Sequence, residues 1–142
     1  VDSALERMLN LLLESERAGV VVLASLAAEV QHQDLKDLLM DAHEEEARNA
    51  GTLERLLREG GATPSSATGP FAAKVAGIGN IRGRLALLIR GQEWMARKIE
   101  ETLALTPQSG AIREALQKMA NRHRYEVEWG RAELIRMMNE IG

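Results

Sequence analysis

The feature that most constrains this chain is an apolar spacing that alternates between three and four residues in four separate segments, each interrupted near its middle by polar residues. The first reads Leu5, Leu9, Leu12, Glu16, Gly19, Leu23, Leu26, Val30, and the second Leu35, Leu39, Ala42, Glu46, Asn49, Leu53, Leu56. The third reads Ile81, Leu85, Leu88, Gln92, Met95, Ile99, and the fourth Ile112, Leu116, Met119, His123, Glu126, Gly130, Leu134, Met137, Ile141. Such spacing sets each series on one buried stripe of a helix, and no segment shows the period of two that a half-buried strand requires. The fold class is therefore all-α.

Local signals place the boundaries. Ser3-x-x-Glu6 reads as a capping box, with the first helix running to about Gln31 and a tight turn at His32-Gln33-Asp34. The second helix spans about Leu35 to Glu59 and stops at Gly60-Gly61, which suit a left-handed cap. Residues 60–79, GGATPSSATGPFAAKVAGIG, break the periodicity and form a long connection with a short helical piece at Phe71–Val75. Asn80 is the expected cap of a third helix ending near Leu105, and Thr106-Pro107 the start or turn before a fourth that reaches Ile141. Two short turns around one long crossover, between helices two and three, predict a four-helix bundle. At 142 residues, positions 1–142 are expected to form one domain.

Composition narrows the function classes. A net charge of −3 leaves no basic excess, so nucleic acid is not an expected partner. There is no cysteine, which removes disulfides, thiolate zinc sites and iron–sulfur centres and leaves oxygen and imidazole as the only metal donors. No apolar run is long enough to span a membrane, and the first residues lack the basic-then-apolar pattern of a signal peptide. A cytoplasmic protein is expected, although the chain starts at Val1 rather than at a methionine. Gly77-x-Gly79-x-x-x-Gly83 has the wrong spacing for a dinucleotide fingerprint and follows no strand, so nucleotide, like haem and flavin, is not an expected cofactor.

The interruptions carry the functional signal. Glu16, Glu46, Asn49, Gln92, His123 and Glu126 each stand where a core residue belongs, near the midpoint of their helices, so all six should meet in one layer. Three converging carboxylates need a divalent cation, protons or nearby arginines to offset their charge. Gly19 and Gly130, one turn from Glu16 and Glu126, are expected to leave room for a small ligand or water.

On these residues the chain resembles the ferritin-like di-metal carboxylate proteins, which supply one glutamate from each of two helices and a Glu-x-x-His pair from each of the other two. The segments LLLESERAG, HEEEARNAGTL and RLALLIRGQEWMARKIEE also look like an uncharacterised bacterial group of ferritin-like proteins. By that resemblance Glu16 matches the single glutamate of helix one, Glu46 the glutamate of helix two, and Gln92 falls on the single glutamate of helix three. Asn49 stands in place of a histidine, and His123-x-x-Glu126 reverses the family order. The implied site is modified and mononuclear, with Glu16, Glu46, His123 and Glu126 around Fe, Mn or Zn and with Asn49 and Gln92 as weak ligands or orienters. Redox or hydrolytic chemistry at that metal is the enzyme class to test.

The competing reading is a metal-free, non-catalytic helical module, a small-ligand binder or structural subunit, with a hydrogen-bonded polar core. There His123 and Glu126 pair with Glu46, Asn49 and Gln92, and Arg48 or Arg97 reaches in from the flank. His43 stands beside its stripe and is expected to be exposed on an acidic face, and His32 to be a turn residue. Trp94, Tyr125 and Trp129 are candidates for a pocket or a subunit contact, and a homodimer is the expected assembly.

Overall fold

The computed structural model describes residues 1–141. It contains α1 (Ser3–Glu29), α2 (Gln33–Glu59), α3 (Phe71–Ala76), α4 (Ile81–Leu103) and α5 (Ala111–Ile141). The two long hairpins, α1–α2 and α4–α5, pack side by side with α1 against α4 and α2 against α5, while α3 lies over the α1/α4 seam. Helices two, three and four of the sequence reading are α2, α4 and α5. No helix among the described residues is long and apolar enough to cross a membrane.

The caps explain most boundaries and correct two. Asp2, not Ser3, closes the start of α1: its Oδ1 accepts from the Leu5 backbone N–H at 2.8 Å, so Ser3 is already helical. At the end of α2 the Gly61 N–H donates to the Arg58 carbonyl and the Ala62 N–H to the Leu57 carbonyl. Gly61 has φ +79°, so this is the left-handed glycine cap the sequence suggests. Asn80 caps α4 through Oδ1 to the Gly83 N–H at 2.7 Å. The α4–α5 connection is longer than expected. Thr106 and Pro107 lie in a turn tied by Arg113, whose Nη1 donates to the Leu103 carbonyl and Thr106 Oγ1, each at 3.1 Å, and α5 begins only after Gly110.

The crossover is held against α1 by three polar residues one turn apart. Asn10 Oδ1 accepts from the Ser65 N–H at 2.7 Å, and Glu14 Oε2 accepts from the Ser65 hydroxyl at 2.6 Å. Arg17 Nη1 donates to the Ser65 and Ala67 carbonyls at 2.6 and 2.9 Å. This course returns the chain to the end where α2 began, so α4 runs parallel to α2.

The core has two apolar halves. Leu23, Leu26, Leu35, Leu39, Leu85 and Leu88 fill one end, and Leu9, Leu12, Leu53, Leu57, Ile99 and Leu116 the other. Each long helix contributes apolar residues to both ends, so the residues between them in sequence must occupy the layer between them in space. Burial of each such leucine is worth about 1.5–3 kcal/mol, which gives the two halves the means to offset a polar layer.

Candidate metal centre

That layer holds Glu16, Glu46, Asn49, Gln92, His123 and Glu126, all buried, with His123 and Glu16 at 0% exposure, Glu126 at 1% and Glu46 at 2%. The structure thus brings together every site residue read from the sequence. Glu16 comes from α1, Glu46 and Asn49 from α2, Gln92 from α4, and His123 and Glu126 from α5.

Five of the six form a directed hydrogen-bond chain. Asn49 Nδ2 donates to Glu16 Oε2 at 3.0 Å, and His123 Nε2 lies 2.5 Å from Glu16 Oε1. The other ring nitrogen, Nδ1, bonds Gln92 Oε1, and Gln92 Nε2 donates to Glu46 Oε2 at 2.6 Å. Both partners of the imidazole are acceptors, so a doubly protonated ring satisfies both. The sixth residue differs. Glu126 Oε2 accepts from Arg122 Nε at 3.3 Å, while Oε1, 3.4 Å from His123 Nδ1, is buried with no hydrogen-bond partner among the described residues.

One donor atom each from Glu46, His123 and Glu126 lie within 4.8 Å of one another, a separation that a single cation can bridge. Glu16 stands outside this trio, and its two oxygens are engaged by His123 and Asn49.

The family described as Domain of unknown function (DUF6306) matches residues 3–133. The chain belongs to this family. Among curated proteins none matches the sequence. The crystal structure of ferritin like, diiron-carboxylate proteins from Bacillus anthracis str. Ames is similar over 100% of both chains, with a TM-score of 0.66 and 15% identity. That likeness carries the fold: this DUF6306 member is a ferritin-like four-helix bundle with a long crossover between α2 and α4.

The electrostatics of the layer follow from its burial. Desolvation, then the charge of Glu16, pushes the Glu46 carboxyl well above the usual carboxylate range. Desolvation likewise lifts Glu126, to about 7, against the opposing pull of His123. Burial acts to lower the His123 pKa, but the charge and hydrogen bond of Glu16, followed by Glu46 and Glu126, outweigh it and raise the value to about 10. Without metal, the layer keeps an imidazolium and protonated carboxyl as its charge balance.

Several flanking expectations change. The arginine that reaches the layer is Arg122, which joins Glu126 to Asp41 and stacks 5.1 Å from the Tyr125 ring centre. Arg48 pairs instead with Glu45 at 2.7 Å, and Arg97 is exposed. The i, i+4 spacing of Arg122 and Glu126 was the available signal. His43 is half-buried, its Nδ1 3.0 Å from the Val20 carbonyl oxygen, rather than exposed. The space at the two glycines is filled by protein: a Cβ on Gly19 would overlap Glu46 Oε1, and one on Gly130 would sit 2.7 Å from Ile89 Cγ1.

Proposed function

We propose that the chain binds one divalent cation, Mn²⁺, Fe²⁺ or Zn²⁺, through Glu46, His123 and Glu126. The observation that carries this reading is the orphaned Glu126 Oε1 beside His123 Nδ1, a buried oxygen with no hydrogen-bond partner among the described residues. One imidazole with two carboxylates is a facial donor set that suits these ions and leaves positions open.

In this reading Glu16 is an orienting group. It accepts from His123 Nε2 and thereby directs Nδ1 towards Gln92 Oε1 and Glu126 Oε1, the carboxylate–histidine arrangement that fixes a ligating ring. Asn49 holds Glu16, and Gln92 holds Glu46, each without adding charge. A bound cation supplies Lewis acidity or one-electron redox capacity at its open positions. To admit it, His123 would release the Nδ1 proton to solvent and with it the bond to Gln92 Oε1, and the carboxyls of Glu46 and Glu126 would release theirs.

A metal-free structural core is favoured by one observation of its own, the continuous chain from Asn49 to Glu46 that links five residues with no ion. Metal content of untagged protein separates the two readings. As part of the same proposal the protein acts in the cytoplasm as a homodimer; exposed Tyr125, Ile135 and Met138 on α5 support a subunit contact, and sedimentation tests it.

A further inference from the structure

Between α1 and α4, beneath α3, lies a cavity of about 440 Å³. That volume falls within the roughly 300–1,000 Å³ of small-molecule sites. Ser15 and Ala18 on α1 leave the seam unfilled, Gly19 and Gly91 admit the Glu46 carboxyl and the Phe71 ring to its edges, and Gly69, Pro70 and Phe71 roof it. A Cβ on Gly91 would lie 2.6 Å from Phe71 Cζ, so the roof sits directly on that glycine. Leu11, Leu87, Leu88, Trp94 and Met95 supply apolar walls.

The inner end is polar, and Glu46 and Gln92 form it. Gln92 occupies Glu46 Oε2, but Oε1 receives no hydrogen bond among the described residues. It lies against Gly19, where any side chain would displace it. The solvent-side rim carries Lys74 and Arg90, both exposed and neither held in an ion pair among the described residues. Glu14, also on the wall, is engaged by the Ser65 hydroxyl.

We propose that this cavity binds a neutral, largely apolar alcohol whose hydroxyl hydrogen-bonds Glu46 Oε1, as donor to the carboxylate or acceptor from the carboxyl, and whose hydrocarbon part fills the space between α1 and α4. Charge selects against the alternatives. An anionic head group at the inner end would face Glu46 with Glu16 and Glu126 behind it, and an organic cation would first meet Lys74 and Arg90. The walls favour hydrocarbon, and the single free carboxyl oxygen favours one hydroxyl. Binding itself needs no metal; only the role of the alcohol as substrate rests on the centre proposed above, because Glu46 belongs to both.

The test is a titration of the full chain with 1-decanol, with and without a chelator, in a Trp129→Phe background that leaves Trp94 as the only tryptophan. Saturable change in Trp94 emission is expected with decanol, with decanoate and decylamine at least tenfold weaker. Filling the cavity with Ser15→Leu, or with Ala18→Leu should the first variant not fold, should weaken decanol at least tenfold, whereas Ser15→Ala retains it. The absence of a saturable response, unchanged affinity in both filled variants, or tighter binding of decanoate or decylamine would overturn the proposal. Metal content is measured separately, so decanol binding by protein that takes up no Mn²⁺, Fe²⁺ or Zn²⁺ would sink only the metal centre, and metal uptake by protein that does not bind decanol only the alcohol site.

Discussion

His123 Nε2 lies 2.5 Å from Glu16 Oε1 with both side chains fully buried, and this pair sets the direction in which the other ring nitrogen points. Glu16→Gln keeps the shape but loses the charge that holds the imidazole. Metal affinity should fall about 10- to 100-fold, as for other outer partners of ligating histidines, with the stoichiometry at saturation unchanged. Isothermal titration with Zn²⁺ checks both. A loss of stoichiometry instead would make Glu16 a ligand.

The protonation of the layer predicts a falling stability profile for metal-free protein. His123 is raised from 6.5 to about 10 and Glu126 from 4.5 to about 7, so the folded chain binds more protons than the unfolded one over both ranges. Each contribution is fully present below the unfolded pKa and is lost as pH rises through the folded value. Stability in chelator, and with it the melting temperature, should therefore decline from about pH 4.5 to about pH 10, the free energy falling on the order of 1 kcal/mol per pH unit. Metal affinity should run the opposite way, because protons and cation compete for the same atoms. Differential scanning fluorimetry across pH, with and without Zn²⁺, measures both slopes.

Gly19→Ala separates helix propensity from packing. Alanine should favour α1 by about 1 kcal/mol, but its Cβ would overlap the Glu46 carboxylate, and forced repacking costs about 1–3 kcal/mol. A lower melting temperature and weaker metal binding are expected. A more stable variant with unaltered metal binding would show that Glu46 does not depend on that gap.

The stripes made the polar layer legible for a plain reason. A helix in a bundle has one buried face, so residues that keep the spacing share its burial, and antiparallel packing aligns their midpoints. All six interruptions are accordingly buried together. Their pairing was not legible, because side-chain geometry decides that His123 bonds Glu16 and Gln92 while Glu126 keeps a free oxygen. Arg122 escaped notice because it flanks the stripe and reaches inward only through its long side chain. Likewise Thr106-Pro107 resembled a helix start, but the chain needs the further residues to Gly110, at φ +124°, before α5 can begin. The glycine at position 19 was visible as missing bulk, yet the space it leaves belongs to Glu46, and the true cavity depends on the path of the crossover over α1 and α4.

Restoring the ligands that the ferritin-like resemblance implies tests whether the amides limit the site to one ion. Asn49→His with Gln92→Glu should be less stable than the parent without metal, through added negative charge and loss of the amide relay. Excess Fe²⁺ or Mn²⁺ should recover that loss and move the stoichiometry towards two per chain. No gain in metal over the parent would mean that the ligand exchange does not determine the number of ions.

The central claim is tested most directly by the metal content of the untagged protein, read together with its melting curve in added Mn²⁺ or Zn²⁺ and with the Glu126→Leu variant. The account predicts one ion per chain in the parent and a rise in melting temperature with added metal. In Glu126→Leu both should disappear, while its metal-free stability is neutral or higher because a buried charge is gone and Arg122 retains Asp41. A parent that carries no metal and melts identically in excess Mn²⁺, Fe²⁺ or Zn²⁺ would contradict the account and leave the hydrogen-bonded core as the reading of this layer.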